Sequence, residues 1–285
     1  MHKRGLVVYL LIDFHTHIFP DAIADAAMQA LCDGIHRIQG ADYGAGKPLY
    51  FRAGTRKALE DSMPASGVTR SICLPIATKP AQTAHINDYA ETVRSDTLLS
   101  FGTLHPADEN WESVLNDLAE RGFRGIKLHL QFQRYPIDGK ECLRILKKAE
   151  ALGLYVVFHA GEDIGLPPPV YASPRQIHNV LQETDGSHLI AAHLGGWRQW
   201  EDVLKYLCGT NIRMDTAYIR EFIDPQLAKE IIRAHGAEKI LFGSDSPWED
   251  PADTLRFLQS LDLTQAELDA ITYKNAQHLL EDTSA

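Results

Sequence analysis

The sequence predicts an α/β fold, a single (β/α)₈ barrel, on three observations. Short apolar runs alternate with amphipathic helical patterns along the chain, the runs are rich in Val, Ile and Leu, and eight of them can be placed. Apolar runs with little alternation suit parallel strands covered on both faces. A strand followed by a helix, repeated, implies a parallel sheet with right-handed crossovers. Eight repeats favour closure into a barrel, where six or seven would leave an open doubly wound sheet.

The first run is Val7 to Phe14. Behind Met1-His2-Lys3-Arg4, the stretch Gly5 to Ile12 imitates a secretory signal, but it passes into Asp13-Phe14-His15-Thr16-His17 with no small-residue cleavage site. A buried first strand is the better reading. Ile18 to Gly67 is too long for one loop and helix. We expect an excursion over the barrel mouth between strands one and two, with a helix near Asp21 to Leu31 and a glycine-rich stretch over Gly40 to Pro48. Strand two is Thr69 to Leu74, strand three Leu98 to Leu104 and strand four Gly125 to Leu130. Strand five is Leu154 to Phe158, strand six His188 to Ala192, strand seven Asn211 to Met214 and strand eight Lys239 to Phe242.

Between these runs, Trp111, Val114, Leu115 and Leu118 share one helical face, as do Leu143, Leu146 and Ala149. Leu204 and Leu207 begin a similar helix that Gly209 ends. Thr264 to Leu280 is an extra C-terminal helix, with Thr264 as N-cap and Glu267 at the capping-box position. No interdomain linker or low-complexity tract interrupts residues 1–285, so one domain is expected.

The formal charge of −10 and pI of about 5.7 leave no electrostatic footprint for nucleic acid or an anionic membrane surface. No stretch approaches the ~20 apolar residues of a membrane helix. Cys32, Cys73, Cys142 and Cys208 lie far apart with no C-x-x-C pair. They read as reduced thiols of a cytoplasmic protein rather than a disulfide scaffold.

The reactive side chains fall where a barrel builds its site. With 13 histidines in 285 residues, chance supplies roughly 0.6 H-x-H pairs, so His15 and His17 carry weight through position rather than type. They end strand one, His159 ends strand five, His193 ends strand six and Asp245 follows strand eight. Barrel enzymes assemble their sites at these C-terminal strand ends. Residues i and i+2 of a strand point the same way, so two imidazoles converge on one ion. A third histidine and an aspartate complete a nitrogen-rich site suited to one divalent metal ion, Zn²⁺ first, with Fe²⁺, Mn²⁺ or Co²⁺ as alternatives.

Asp13-Phe14-His15-Thr16-His17, Gly125-Ile126-Lys127-Leu128-His129, His159-Ala160-Gly161, Ala192-His193-Leu194-Gly195-Gly196 and Gly243-Ser244-Asp245-Ser246-Pro247-Trp248 stand in that order. As a set they resemble the amidohydrolase superfamily, specifically its amidohydrolase-2 branch. That branch holds the aminocarboxymuconate semialdehyde decarboxylase-like enzymes and TIM-barrel lactone and ester hydrolases. The resemblance implies a TIM barrel and a mononuclear metal held by His15, His17, His159 and Asp245. It places His193 beside the metal as an acid–base or carbonyl-polarising group. The sequence leaves open whether His159 and His193 exchange these places. Binuclear relatives bridge two metals with a carboxylated lysine from strand four, which makes Lys127 the candidate if a second ion is bound. A substrate-facing cation is the preferred role. Barrels of this branch are often dimers, so a homodimer is implied as well.

Lys127 and His129 share one face of strand four and are candidate substrate contacts. Arg134, Arg175, Arg198 and Arg220 follow strands four to seven. Guanidinium groups bind carboxylates bidentately, so Arg134, Arg198 and Arg220 suggest a substrate bearing a carboxylate. Trp197, Tyr218 and Trp248 are candidates for apolar walls, and His105 either faces the site or holds a tight turn.

A divalent ion lowers the pKa of a coordinated water toward ~7. The leading expectation is therefore hydrolysis of a small, carboxylate-bearing ester, lactone or amide. Asp245 would accept the proton of the attacking water while His193 polarises the carbonyl. The first alternative is non-oxidative decarboxylation, or hydration, of a small unsaturated or aromatic acid by the same cage. A catalytically inactive metal-binding barrel is the alternative of another class, disfavoured because every expected ligand residue is present.

Overall fold

The computed structural model of the chain describes residues 10–281. The reading of Met1 to Tyr9, including the start of the first run, lies outside the described residues. Eight parallel strands follow one another around a ring: β1 (Ile12–Thr16), β2 (Arg70–Cys73), β3, β4 (Gly125–Leu128), β5 (Tyr155–Phe158), β6 (Leu189–Ala191), β7 (Arg213–Asp215) and β8 (Ile240–Leu241). β3 comes in two pieces, Leu98–Ser100 and Gly102–Thr103, on either side of Phe101. The first piece pairs with β2 and the second with β4, which carries the ring across the break. Backbone bonds join its two edges. Phe14 N–H donates to the Phe242 carbonyl at 2.8 Å, His17 N–H to Ser246 at 2.7 Å and Asp245 N–H to His15 at 2.8 Å.

The period of two in the strands sorts their side chains into two layers. Ile126, Leu128, Val156 and Phe158 pack outward in the cluster shared with the helices. Val157 packs in a second cluster with Ile12, Phe14, Ile72, Phe101, Ile190 and Leu241. Ala276 and Leu279 of the C-terminal helix join that inner cluster. The helix starts as expected: Thr264 Oγ1 accepts from Glu267 N–H while the Glu267 carboxylate accepts from Thr264 N–H. It runs as Gln265–Asp269, a π turn over Ala270–Lys274, and Asn275–Glu281.

The excursion holds two helices, not one. The first, α1 (Ala24–Gln39), extends eight residues past the expected end at Leu31, because Cys32 and Ile35 continue the buried stripe begun by Ala24 and Met28. Gly40 ends it at φ 102°. The second, α2 (Arg56–Ser66), is capped by Thr55 and closed by Gly67 in the left-handed region. Strand ends also shift. β1 reaches Thr16 rather than Phe14, and β7 reaches Asp215 rather than Met214, while β4 stops at Leu128 because Leu130–Gln133 turns helical. Among the described residues no helix is long and apolar enough to cross a membrane, and the four cysteines are free.

Candidate metal centre

The ends of β1 and β8 meet in a buried corner, and hydrogen-bond partners there fix the imidazole tautomers. A carbonyl or ionised carboxylate only accepts, so a ring nitrogen facing one carries the proton. His15 Nδ1 lies 2.8 Å from Asp215 Oδ2, and His17 Nδ1 lies 2.8 Å from the Leu74 carbonyl. Each ring is thus held at Nδ1 and turns its Nε2 into the corner. These two nitrogens are 3.2 Å apart, and Asp245 Oδ1 sits 3.4 Å from the first and 3.0 Å from the second. Two ring nitrogens and a carboxylate oxygen converge on one point, a grouping that an entering cation would stabilise. Two imidazoles and a carboxylate are a donor set that fits a divalent metal.

The electrostatics agree. Burial lowers the pKa of His15, with Lys127 adding to the effect, and keeps the ring in its neutral, ligating form. Burial alone would raise Asp245, but His15 and His17 outweigh it and hold the carboxyl well below its usual range. Asp215 behaves alike: burial opposes ionisation, yet His15, His193 and Lys127 bring it down to about 2. Lys127 Nζ stands 3.2 Å from His15 Nε2, and burial lowers its pKa to about 8. Asp245 and His193 both sit in the left-handed region, at φ 64° and 59°. Backbone strain of this kind collects at functional sites.

His159 and His193 form a second facing pair. His193 Nδ1 donates to the Ala217 carbonyl at 2.9 Å, and His159 Nε2 donates to the Glu162 carbonyl at 2.8 Å. The remaining nitrogens, His193 Nε2 and His159 Nδ1, face each other at 2.9 Å. The His193 ring centre lies 5.4 Å from that of His15. Among the described residues the tight group of donors contains His15, His17 and Asp245, whereas His159 groups with His129 and Asp163. His129 stacks on His159 with ring centres 4.4 Å apart, and its Nε2 is 3.4 Å from Asp163 Oδ2. Burial, then the neighbouring histidines, holds both rings well below their usual pKa, while burial raises Asp163 to about 6.

A cavity of about 670 Å³ opens over this corner. His15, His17, His159, His193 and Asp245 line it, as do Lys127, His129, Trp197, Tyr218 and Trp248. The three candidate arginines do not. Arg134 ends the short turn after Leu130–Gln133, Arg198 lies over the Trp197 ring at 4.3 Å, and Arg220 is held by Glu249 and Glu221. His105 holds a turn, accepting from Ala107 N–H at Nδ1.

Sequence reasoning passed over Asp215, Asp163 and Arg52. Asp215 Oδ2 orients His15 while its Oδ1 accepts from His193 N–H and Ala217 N–H. A carboxylate at the end of β7 was the available signal, by the rule that picked Asp245. Arg52, from the excursion, donates to Ser246 Oγ and to the His17 carbonyl, tying the β1 and β8 ends together. Nothing local in the sequence marks that tie.

The family model described as Amidohydrolase matches residues 12–281. Several solved structures share the fold. The 5-carboxyvanillate decarboxylase from Sphingomonas paucimobilis is 14% identical at a TM-score of 0.65, covering 95% of this chain and 99% of its own. The 5-carboxyvanillate decarboxylase from Novosphingobium aromaticivorans, complexed with manganese, is 15% identical at 0.69, covering 95% and 96%. A probable 2-pyrone-4,6-dicarboxylic acid hydrolase from Acinetobacter baumannii is 16% identical at 0.62, covering 95% and 98%. No curated protein is significantly similar to the chain.

Proposed function

The chain belongs to the amidohydrolase family, and on that premise we propose that it is a metal-dependent enzyme releasing CO₂ from a small unsaturated or aromatic acid. The observation that carries this reading is the convergence of three donor atoms, His15 Nε2, His17 Nε2 and Asp245 Oδ1, opening on a mostly apolar cavity. When bound, a divalent metal supplies a Lewis acid at the reacting carboxylate or carbonyl. His159, whose Nδ1 faces His193 Nε2 at 2.9 Å, would be the third histidine to hold the metal. Decarboxylation breaks the bond to the carboxylate carbon, leaves the electron pair on the substrate and requires a proton in its place. An apolar wall disfavours the localised carboxylate more than the dispersed charge that follows. His193, anchored at Nδ1 by Ala217, takes up and delivers the proton at Nε2. The decarboxylases among the solved relatives support the same choice.

Hydrolysis of an ester or lactone is the second reading. The Nε2 of His193 favours it, as a base able to take a proton from water. The test is metal analysis of chain purified without chelators, followed by a panel of 2-hydroxybenzoates, muconate-type acids and lactones scored for CO₂ release against water addition. About one equivalent of divalent metal per chain and CO₂ release are expected. A metal-free chain overturns the metal assignment, and turnover confined to lactones replaces the lyase by the hydrolase. Reconstitution with Zn²⁺ and Mn²⁺ separately identifies the working ion, since these donors accept either.

A further inference from the structure

The cavity extends well beyond the metal corner, and its chemistry changes with distance. One face of α1 lines it along its length, beginning at the N-cap Ile23: Ala27, Ala30, Leu31, Gly34 and Ile35 recur at helical spacing. The rest of that lining includes Ile86 and Tyr89 of the helix Thr83–Val93, Phe132 and Leu166 from the segments after β4 and β5, and the polar Thr78, Gln82 and His85. Among the described residues the lysines and arginines of the lining are Lys127, set against His15, and Arg37, exposed in the last turn of α1. Between these two the wall offers no guanidinium to a second carboxylate.

Size points the same way. At ~30 Å³ for each water-sized group, 670 Å³ holds roughly twenty such groups, against about ten non-hydrogen atoms in a hydroxybenzoate. The small side chains Ala27, Ala30 and Gly34 keep the α1 wall thin where larger ones would fill it. At Gly34 the helix meets the loop after β5, where an added Cβ would lie 3.4 Å from the Gly165 carbonyl. Ile23, at the other end of the stripe, is 52% exposed. The cavity therefore has a mostly apolar wall along α1, with Ile23 at its exposed end.

The geometry points to a substrate of two parts: an acid or ester head at the His15, His17 and Asp245 corner, and an apolar tail along α1, longer than a methyl or methoxy substituent. The head rests on the metal-dependent reading above; the tail rests on the cavity wall alone. Each methylene buried there is expected to tighten binding roughly fourfold.

The test is calorimetric titration of the metal-loaded enzyme with 4-alkylbenzoates, from 4-methylbenzoate to 4-octylbenzoate. The expected result is a Kd that falls about fourfold per methylene over the first several carbons, with an increasingly negative heat-capacity change. Ala30→Trp, which fills the middle of the stripe, should flatten that dependence without altering metal content; Ala27→Phe serves the same end if the first variant misfolds. A Kd independent of chain length in the parent enzyme overturns the proposal. Loss of metal or absence of CO₂ release with the chain-length dependence intact would instead fail the reading of the head.

Discussion

Two regions of one cavity are built on opposite principles. In the corner at the ends of β1 and β8, each histidine of the donor group is held at Nδ1 by an acceptor and turns Nε2 to the centre. Along α1 the wall is mostly apolar up to Arg37 in its last turn, and its apolar residues differ mainly in size. The corner belongs to the barrel, whose strands are fixed by hydrogen bonds on both edges. The wall belongs to the excursion, pinned to the barrel through Arg52. A barrel that fixes the chemistry and an insertion that fixes what is admitted can change independently. Loop variation on a constant frame works in this way.

The sharpest attack on this division removes the corner. His15→Ala combined with His17→Ala is expected to abolish metal binding and lower turnover by at least ~10³-fold, read by metal analysis and kcat, while alkylbenzoate binding keeps its chain-length dependence. If that dependence vanished with the metal, the two regions would be one functional unit.

A milder change tests whether the tautomers matter. Asp215→Asn keeps the shape but removes the carboxylate facing His15 Nδ1. Metal affinity should fall about 10–100-fold, measured by competition with a chelator of known strength. An unchanged affinity would mean that the Nε2 of His15 does not depend on its partner.

The smallest effect is expected from the arginines outside the cavity. Arg134→Ala and Arg198→Ala should each shift the affinity for 4-methylbenzoate by less than about twofold, the usual range for surface substitutions. A tenfold loss in either would bring the substrate carboxylate back to the loops and undo the assignment of the head to the corner.

Much of this was legible in the chain. The eight apolar runs, the C-terminal capping box at Thr264 and Glu267, and the strand-end positions of His15, His17, His193 and Asp245 all emerge from patterns within a few residues. α1 was legible in type but not in length, since the decision to continue through Ile35 depends on what that residue packs against. The arginines misled for a related reason. A guanidinium placed after a strand has several directions open to it, and Arg220 turns to Glu249 rather than to the cavity.

The sequence by itself determined the repeated strand–helix unit and the reactive residues carried to one rim. Periodicity and position along a strand are local properties. Only the tertiary structure decided which ring nitrogens face the corner, that His15, His17 and Asp245 gather while His159 faces His193, and that α1 turns an apolar stripe toward them. Those outcomes rest on the carbonyls of Leu74, Ala217 and Glu162 and on packing between distant segments. A lone pair is directed by its partner across space, and no spacing along the chain encodes that partner.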